Sequence, residues 1–227
     1  EVSEATYGSP RIYAALVQAS WPVGRKRVAR LMRASGLKAR SARIYRRTPG
    51  TRTFFAAIPN RVLDVHTTAP NQVWVGDVTY VKSAGQWRYL AVVMDRHSRR
   101  ILGWSLAPRR DLSLTLASLN RALLRRRPAP GLIFHSDRGV EFSAYAVRAR
   151  FAALGITQSM KRPREIGDNA FIESFFHTLK ADVIHGHVFD NGHALRVAIS
   201  RYIRRYNRTR MHSALDYRSP IDYERLA

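Results

Sequence analysis

Three apolar runs between Val73 and Leu106 limit what this chain can become more than any other stretch. From Trp74 to Lys82 the residues alternate with the period of a strand: Val73, Val75, Asp77, Thr79 and Val81 share one face, and Trp74, Val78 and Tyr80 the other. Ser83-Ala84-Gly85-Gln86 reads as a turn, Trp87 to Met94 as a second strand, Asp95-Arg96-His97-Ser98 as a second turn, and Ile101 to Leu106 as a third strand. A meander of this kind has two faces, and something must cover them. A helix over about Ser113 to Arg126 supplies part of the cover, with Leu116, Leu119, Ala122 and Leu123 inward and Pro128 and Pro130 ending it. A fourth strand over Leu132 to Ser136, a helix over about Ser143 to Leu154 closed by Gly155, and a short strand over Ile156 to Met160 complete the pattern. The expectation is an α/β chain with a mixed five-stranded sheet flanked by helices.

The fourth strand carries the first chemical clue. Its apolar run Leu132-Ile133-Phe134 stops in His135-Ser136-Asp137-Arg138-Gly139. A carboxylate at the end of a buried strand needs a partner, because an unpaired buried charge is costly. A cation shared with a second acid would meet that need, and Asp77 on the first strand is the natural candidate. A third acid, Glu173, lies where Gly167-Asp168-Asn169-Ala170 opens an amphipathic helix. Asp168 reads as its N-cap, and Ile172, Phe176, Leu179 and Val183 as the stripe that docks it. Glu173, His177 and Lys180 fall on another face. Taken alone, Glu173 with His177 is equally an ordinary surface pair worth a few tenths of a kcal/mol. Among the other acids, Asp95 begins a turn, Asp111 caps a helix and Glu141 stands at a helix start. His135 suits a structural role better than ligation of a hard cation; for Asn169, orienting the loop and having no role stay open.

Charge supplies the second clue. The 227 residues hold 39 Lys and Arg against 16 Asp and Glu, a formal charge of +23. Nucleic acid is the simplest partner for such an excess. A generic basic protein of ribosomal type would share the charge, but such chains seldom combine it with 45% hydrophobic residues and a full set of strands. Residues 1–50 hold eleven Lys and Arg and only two acids, Glu1 and Glu4. They read as a helix from Pro10 through Ile12, Ala15, Leu16 and Ala19, a break at Trp21-Pro22, and a second helix from about Gly24 to Ser35 stopped by Gly36. Arg25, Lys26, Arg30 and Arg33 spread over the second helix, where phosphate contact competes with a merely solvated face. Residues 51–71 read as a linker, part of which packs through Phe54, Phe55 and Ile58. Lys161, Arg162 and Arg164 form a basic loop ahead of the Glu173 helix, suited to gripping a strand without reading its sequence. The last long helix, about Ala194 to Tyr206, has Leu195, Ile199, Tyr202 and Tyr206 inward, leaving Arg204 and Arg208 outward. There are no cysteines, which excludes disulfides and cysteine-based zinc sites. No apolar run approaches membrane-spanning length, and no secretory signal is visible.

Several separated motifs, in order, resemble the DDE integrase core of bacterial insertion-sequence transposases, in particular the second-frame (OrfB) part of the two-reading-frame class. They are Tyr7-Gly8-Ser9-Pro10-Arg11-Ile12, Asp77-Val78-Thr79, His135-Ser136-Asp137-Arg138-Gly139, Asp168-Asn169-Ala170 with Glu173, Leu179-Lys180, and the tail from Tyr206 to Pro220 containing Arg210 and His212. The resemblance spans nearly the whole chain. It implies a ribonuclease H-like integrase core over residues 72–227 with a small N-terminal helix-turn-helix-like domain over 1–50. It implies Asp77, Asp137 and Glu173 as catalytic and metal-holding acids, with two Mg²⁺ ions for which Mn²⁺ can substitute. Such ions prefer oxygen ligands and, in pairs, serve both the attacking and the leaving oxygen of a phosphodiester. DNA contacts are expected from Arg25, Lys26, Arg30, Arg33, Lys161, Arg162, Arg164, His177, Lys180, Arg204 and Arg208. The implied function is DNA strand cleavage and strand transfer at insertion-sequence ends, by a homo-oligomer on double-stranded element ends and target, in the bacterial cytoplasm at the nucleoid. A ribonuclease H-like nuclease, or a DNA-binding protein without catalysis, are the alternatives. The chain begins at Glu1 rather than Met and reads as a fragment of a longer product. Two departures stand out: Arg164-Glu165-Ile166 replaces a Ser/Gly-rich loop, and Asp182 stands where Glu is usual.

Overall fold

The computed structural model describes residues 6–37, 58–162 and 168–226. The meander forms as β1 (Val73–Ser83), β2 (Gln86–Asp95) and β3 (Ile101–Ala107), antiparallel throughout. Ser83 pairs with Gln86, so the β1–β2 connection is the two-residue turn Ala84-Gly85, with φ of 47° and 74°. Positive φ at both positions matches the twist of the flanking strands, and glycine tolerates it best. β4 (Ile133–Ser136) and β5 (Thr157–Met160) lie parallel beside β1, giving the sheet order β3-β2-β1-β4-β5.

Each face of the sheet has its own apolar layer. On one side lie α3 (Leu112–Arg126), α4 (Val140–Ser143) and α5 (Tyr145–Ala153), which join Trp74, Val93, Leu102, Leu119, Phe134, Phe142 and Phe151. Asp111 caps α3, as expected, by accepting from the Leu114 amide. Gly103 lets α3 come down onto β3: an added Cβ would overlap Ser118 O and stand 2.7 Å from Ala122 N. On the other side α6 (Ala170–Leu179) and α7 (Gly192–Arg208) pack Ile172, Phe175, Phe176, Leu195, Ile199 and Tyr202 on Val75, Leu90 and Val92.

Three local expectations need correction. The helix expected over about Ser143 to Leu154 forms as α5, but an unexpected short helix, α4, precedes it, set apart because Ala144 is extended at ψ 142°. Gln158 Nε2 of β5 donates to the Phe142 carbonyl at 2.7 Å and so takes up a group left near the break. Asp168 does not cap α6; Asn169 holds that position without a side-chain cap. Arg162 and Asn60 have drawn the Asp168 carboxylate away. Finally, α6 gives way to a π-helical turn over Lys180–Ile184, so Val183 is only partly buried while Asp182 turns inward. There it meets Arg210 Nη1 at 2.7 Å, both side chains almost fully buried, with Arg205 Nη2 at 3.9 Å.

The N-terminal hairpin of α1 (Ser9–Gln18) and α2 (Arg25–Ala34) is docked rather than free-standing. Tyr7 Oη donates to Thr209 O at 3.3 Å and accepts from the Met211 amide at 3.0 Å. Arg11 Nε donates to Met211 O, and Tyr7, Ala14 and Met211 share a small apolar cluster. Residues 58–62 run along β5: the Met160 amide donates to Pro59 O, and the Arg61 amide to Ser159 Oγ. The chain closes with α8 (Pro220–Glu224), whose Glu224 carboxylate holds Arg100 and Arg126. Among the described residues no helix is long and apolar enough to cross a membrane.

Candidate active site

The parallel β1–β4 ladder places the first two acids together. Gly76 pairs with Ser136, so the next residue on each strand is an aspartate, Asp77 and Asp137. Gly76 is needed where it stands: a Cβ there would lie 2.5 Å from Phe134 Cζ and 3.1 Å from Phe142 Cε1. Glu173 comes from the first turn of α6, whose buried stripe holds that helix against the sheet. Burial raises the Asp77 carboxyl to about 8, with Asp137 and Glu173 adding like-charge repulsion against one amide bond from Val78. Asp137 is also raised, by burial first, although the Gly139 amide, Arg110 and Lys161 favour its charged form.

Cations surround this acid pair. Lys161 Nζ stands 4.0 Å from Glu173 Oε1 and acts electrostatically on both aspartates. Lys180 Nζ lies 4.8 Å from the Tyr80 ring centre. Burial lowers the Lys180 pKa, and Asp77 partly offsets the effect. Arg110 was not singled out from the sequence, nor was Glu141 as more than a helix start. Yet Arg110 Nε bonds the buried Glu141 carboxylate and its charge reaches Asp137. The run Arg109-Arg110-Asp111 gave no signal, since it reads as a loop before a helix.

Among the described residues no three His, Asp or Glu side chains are gathered closely enough to form a ready-made metal cage. The donor set itself is hard carboxylate oxygen, which fits Mg²⁺ or Mn²⁺, and the upward shift of Asp77 by burial and acidic neighbours is in the direction a nearby cation opposes. His135 is fully buried against Ser159 Oγ at 2.9 Å, and burial lowers it to about 4, a neutral structural histidine. Asn169 is buried with neither end of its amide bonded among the described residues.

The expected DNA-contacting residues divide into groups. Arg25, Lys26, Arg30 and Arg33 are exposed on α2, and Arg204 and Arg208 on α7. His177 is exposed on α6. Lys161 and Lys180 belong to the acid cluster. Arg162 grips Asp168 through Nε, Nη2 and its own amide, which lowers that carboxyl to about 2. Arg164 lies outside the described residues.

The chain matches the integrase core domain family twice, over residues 67–165 and 154–220, and an HTH-like domain family over residues 1–45. It is 36% identical over 226 residues to transposase InsF for insertion sequence IS3A of Escherichia coli, covering 98% of this chain and 78% of that protein. It is 36% identical to the transposase for insertion sequence element IS904 of Lactococcus lactis, covering 96% of this chain and 87% of that one. The fold is similar to the HTLV-2 integrase catalytic core domain in complex with magnesium, with TM-score 0.55 and 17% identity over 70% of this chain and 99% of that one. The catalytic core domain of BIV integrase gives 0.53 and 17% over 69% and 95%. These two likenesses carry the fold, a ribonuclease H-like integrase core. Identity above one third along nearly the whole length carries kinship, and the chain belongs to the integrase-core DNA transposases of insertion sequences.

Proposed function

We propose that Asp77, Asp137 and Glu173 are the catalytic acids of this transposase and together hold two Mg²⁺ ions, with Mn²⁺ able to substitute. The observation that carries this reading is Asp77, whose carboxyl is raised to about 8 by burial and by its acidic neighbours. Such ions would activate an attacking hydroxyl and stabilise the leaving oxygen of a phosphodiester. The chain's own contribution is placement. The β1–β4 ladder sets Asp77 beside Asp137, the apolar stripe of α6 presents Glu173, and Arg110 with Glu141 braces the turn after Asp137. Lys161 and Lys180 hold positive charge at the cluster's rim, where a DNA phosphate would arrive. In the first step water attacks at an element end and frees a 3′-hydroxyl; in the second that hydroxyl attacks a phosphodiester of the target.

Residues 1–50 serve as a DNA-binding segment, 51–71 as a linker and 72–227 as the catalytic core. Arg25, Lys26, Arg30 and Arg33 contact phosphates on one side of the molecule. Arg204 and Arg208 on α7, with His177 on α6, extend the path, and Arg164 adds a further phosphate contact. A homo-oligomer on paired ends, at the bacterial nucleoid, is the working form.

The test uses supercoiled plasmid bearing the element's ends, with Mg²⁺ or Mn²⁺, comparing wild type with Glu173→Gln. Metal-dependent nicking and joined products that fall on the order of 10³-fold in the variant support the reading. Nicking without joining points to a nuclease, and DNA binding without any cut sinks the catalytic assignment.

A further inference from the structure

A second basic site lies on the other side of α6, against faces turned away from Glu173. There a cavity of about 240 Å³ is walled by three separate parts of the chain. Arg11 comes from α1, Arg99 from the β2–β3 turn, and Arg210 with His212 from the segment after α7. Phe171 and Ser174 of α6 form its floor and rim, and among the described residues no acidic side chain lines it. Arg210 already holds Asp182, and Arg11 spends Nε on the Met211 carbonyl.

Arg99 is different. Its backbone takes φ 62°, in the left-handed region that a non-glycine residue seldom occupies. Its guanidinium stacks 3.6 Å from the Phe171 ring centre, and its Nε is buried without a hydrogen-bond partner among the described residues. Stacking on an aromatic face leaves the edge donors of a guanidinium free for a planar or tetrahedral oxyanion. His212 Nε2 is likewise buried without a partner among the described residues. Burial and the three arginines lower this imidazole to about 3, so its ring is neutral and the cavity's charge is the arginines' alone. A half-buried guanidinium with no carboxylate against it among the described residues, in a cavity lined by two more arginines, has the charge and donor geometry to bind an oxyanion.

We infer that this cavity is a phosphate-binding pocket, which takes a backbone phosphodiester of the DNA through Arg99 and Arg11, with Ser174 at its rim. The adjoining cleft of about 330 Å³ shares Arg11, Thr178, Arg210 and Ser213 and reaches His177, so the bound strand has a continuous basic path along α6. The inference rests on the transposase reading for the identity of the anion. It makes the N-terminal hairpin and the C-terminal tail two walls of one DNA groove.

The test measures binding of a short fluorescent duplex of arbitrary sequence against salt, using the full chain. Arg99→Met keeps the length and the stacking surface but removes the charge. It is expected to lower the slope of log K against log salt by about 1 and to weaken binding several-fold at low salt, with Arg99→Lys keeping the slope. Cutting of plasmid by Glu173→Gln tests the catalytic assignment and the salt slope of Arg99→Met tests the pocket, so failure of the one and failure of the other are separate results. If Arg99→Met does not fold, Ser174→Asp, at an exposed position, should produce the same fall in slope. An unchanged slope in the folded variant overturns the inference. So does a result in which inorganic phosphate raises the melting temperature of wild type but not of Arg99→Met while the DNA slope stays the same, since the pocket would then take a free anion.

Discussion

Lys161 Nζ stands 4.0 Å from Glu173 Oε1, an ion pair at the margin of three carboxylates that otherwise repel one another. The lysine acts as a resident counter-charge. With metal absent, Lys161→Met should lower stability by up to about 1 kcal/mol, given the partial exposure of both groups. With saturating Mg²⁺ the loss should shrink if, as proposed, the acids hold the cation, which would then take over the same role. Thermal unfolding with and without Mg²⁺ checks this; an equal loss in both conditions defeats it.

The raised Asp77 makes a signed pH prediction. Its folded value, about 8, lies above the usual 3.8, so between those limits the native state binds more protons than the unfolded chain. Stability of the metal-free protein therefore falls as pH rises through that window, and the Asp137 shift acts in the same direction. Asp77→Asn should flatten the dependence and make the protein more stable than wild type at pH 8. Denaturant midpoints at pH 5 and pH 8 read it directly, and a wild type more stable at pH 8 would refute it.

The Asp182–Arg210 pair is nearly dry, at 2.7 Å. Asp182→Ala leaves a buried guanidinium without its carboxylate and should cost about 3–5 kcal/mol. Replacing both residues with apolar side chains of similar volume should recover much of the loss. Urea unfolding of the single and double variants separates the two effects.

Two glycines admit close packing on the same side of the sheet, with unequal consequences. At Gly76 a Cβ meets the tip of Phe134, which can shift a little; at Gly103 it meets the backbone of α3, which cannot without moving the helix. Gly76→Ala should cost about 1–3 kcal/mol and Gly103→Ala more. If Gly103→Ala melts at the higher temperature, the packing argument fails.

Much of this architecture is legible in the sequence where local pattern and tertiary demand agree. β1 to β3 alternate cleanly, and each extends only about one residue beyond the expected ends. That Asp77 and Asp137 stand side by side is legible because an apolar run ends on Asp137 and Asp77 interrupts an apolar face. What stayed hidden was set by distant partners. Alanine suits a helix, so the break at Ala144 leaves no trace; Gln158 reaches across from β5 to the carbonyl beside it. Asp168 has the chemistry of a cap, but a guanidinium six residues earlier competed for it and won. The π-helical turn accompanies the burial of Asp182 against Arg210, and the Arg99–Phe171 stack joins a turn to a helix far along the chain. None of these pairs announces itself by spacing.

The Tyr7 hydroxyl joins a residue near the start of the described chain to the Thr209 carbonyl and the Met211 amide. Synthesis runs from one to the other, so the α1–α2 hairpin leaves the ribosome long before its seat exists. Asp77, Asp137 and Glu173 have all been made before that seat is complete. A nascent or prematurely released chain ending ahead of Thr209 would carry the acids without the docked hairpin. It would also lack Arg210 and His212, and with them one wall of the anion cavity. The stretch from Thr209 to Met211 thus decides when the hairpin finds its seat.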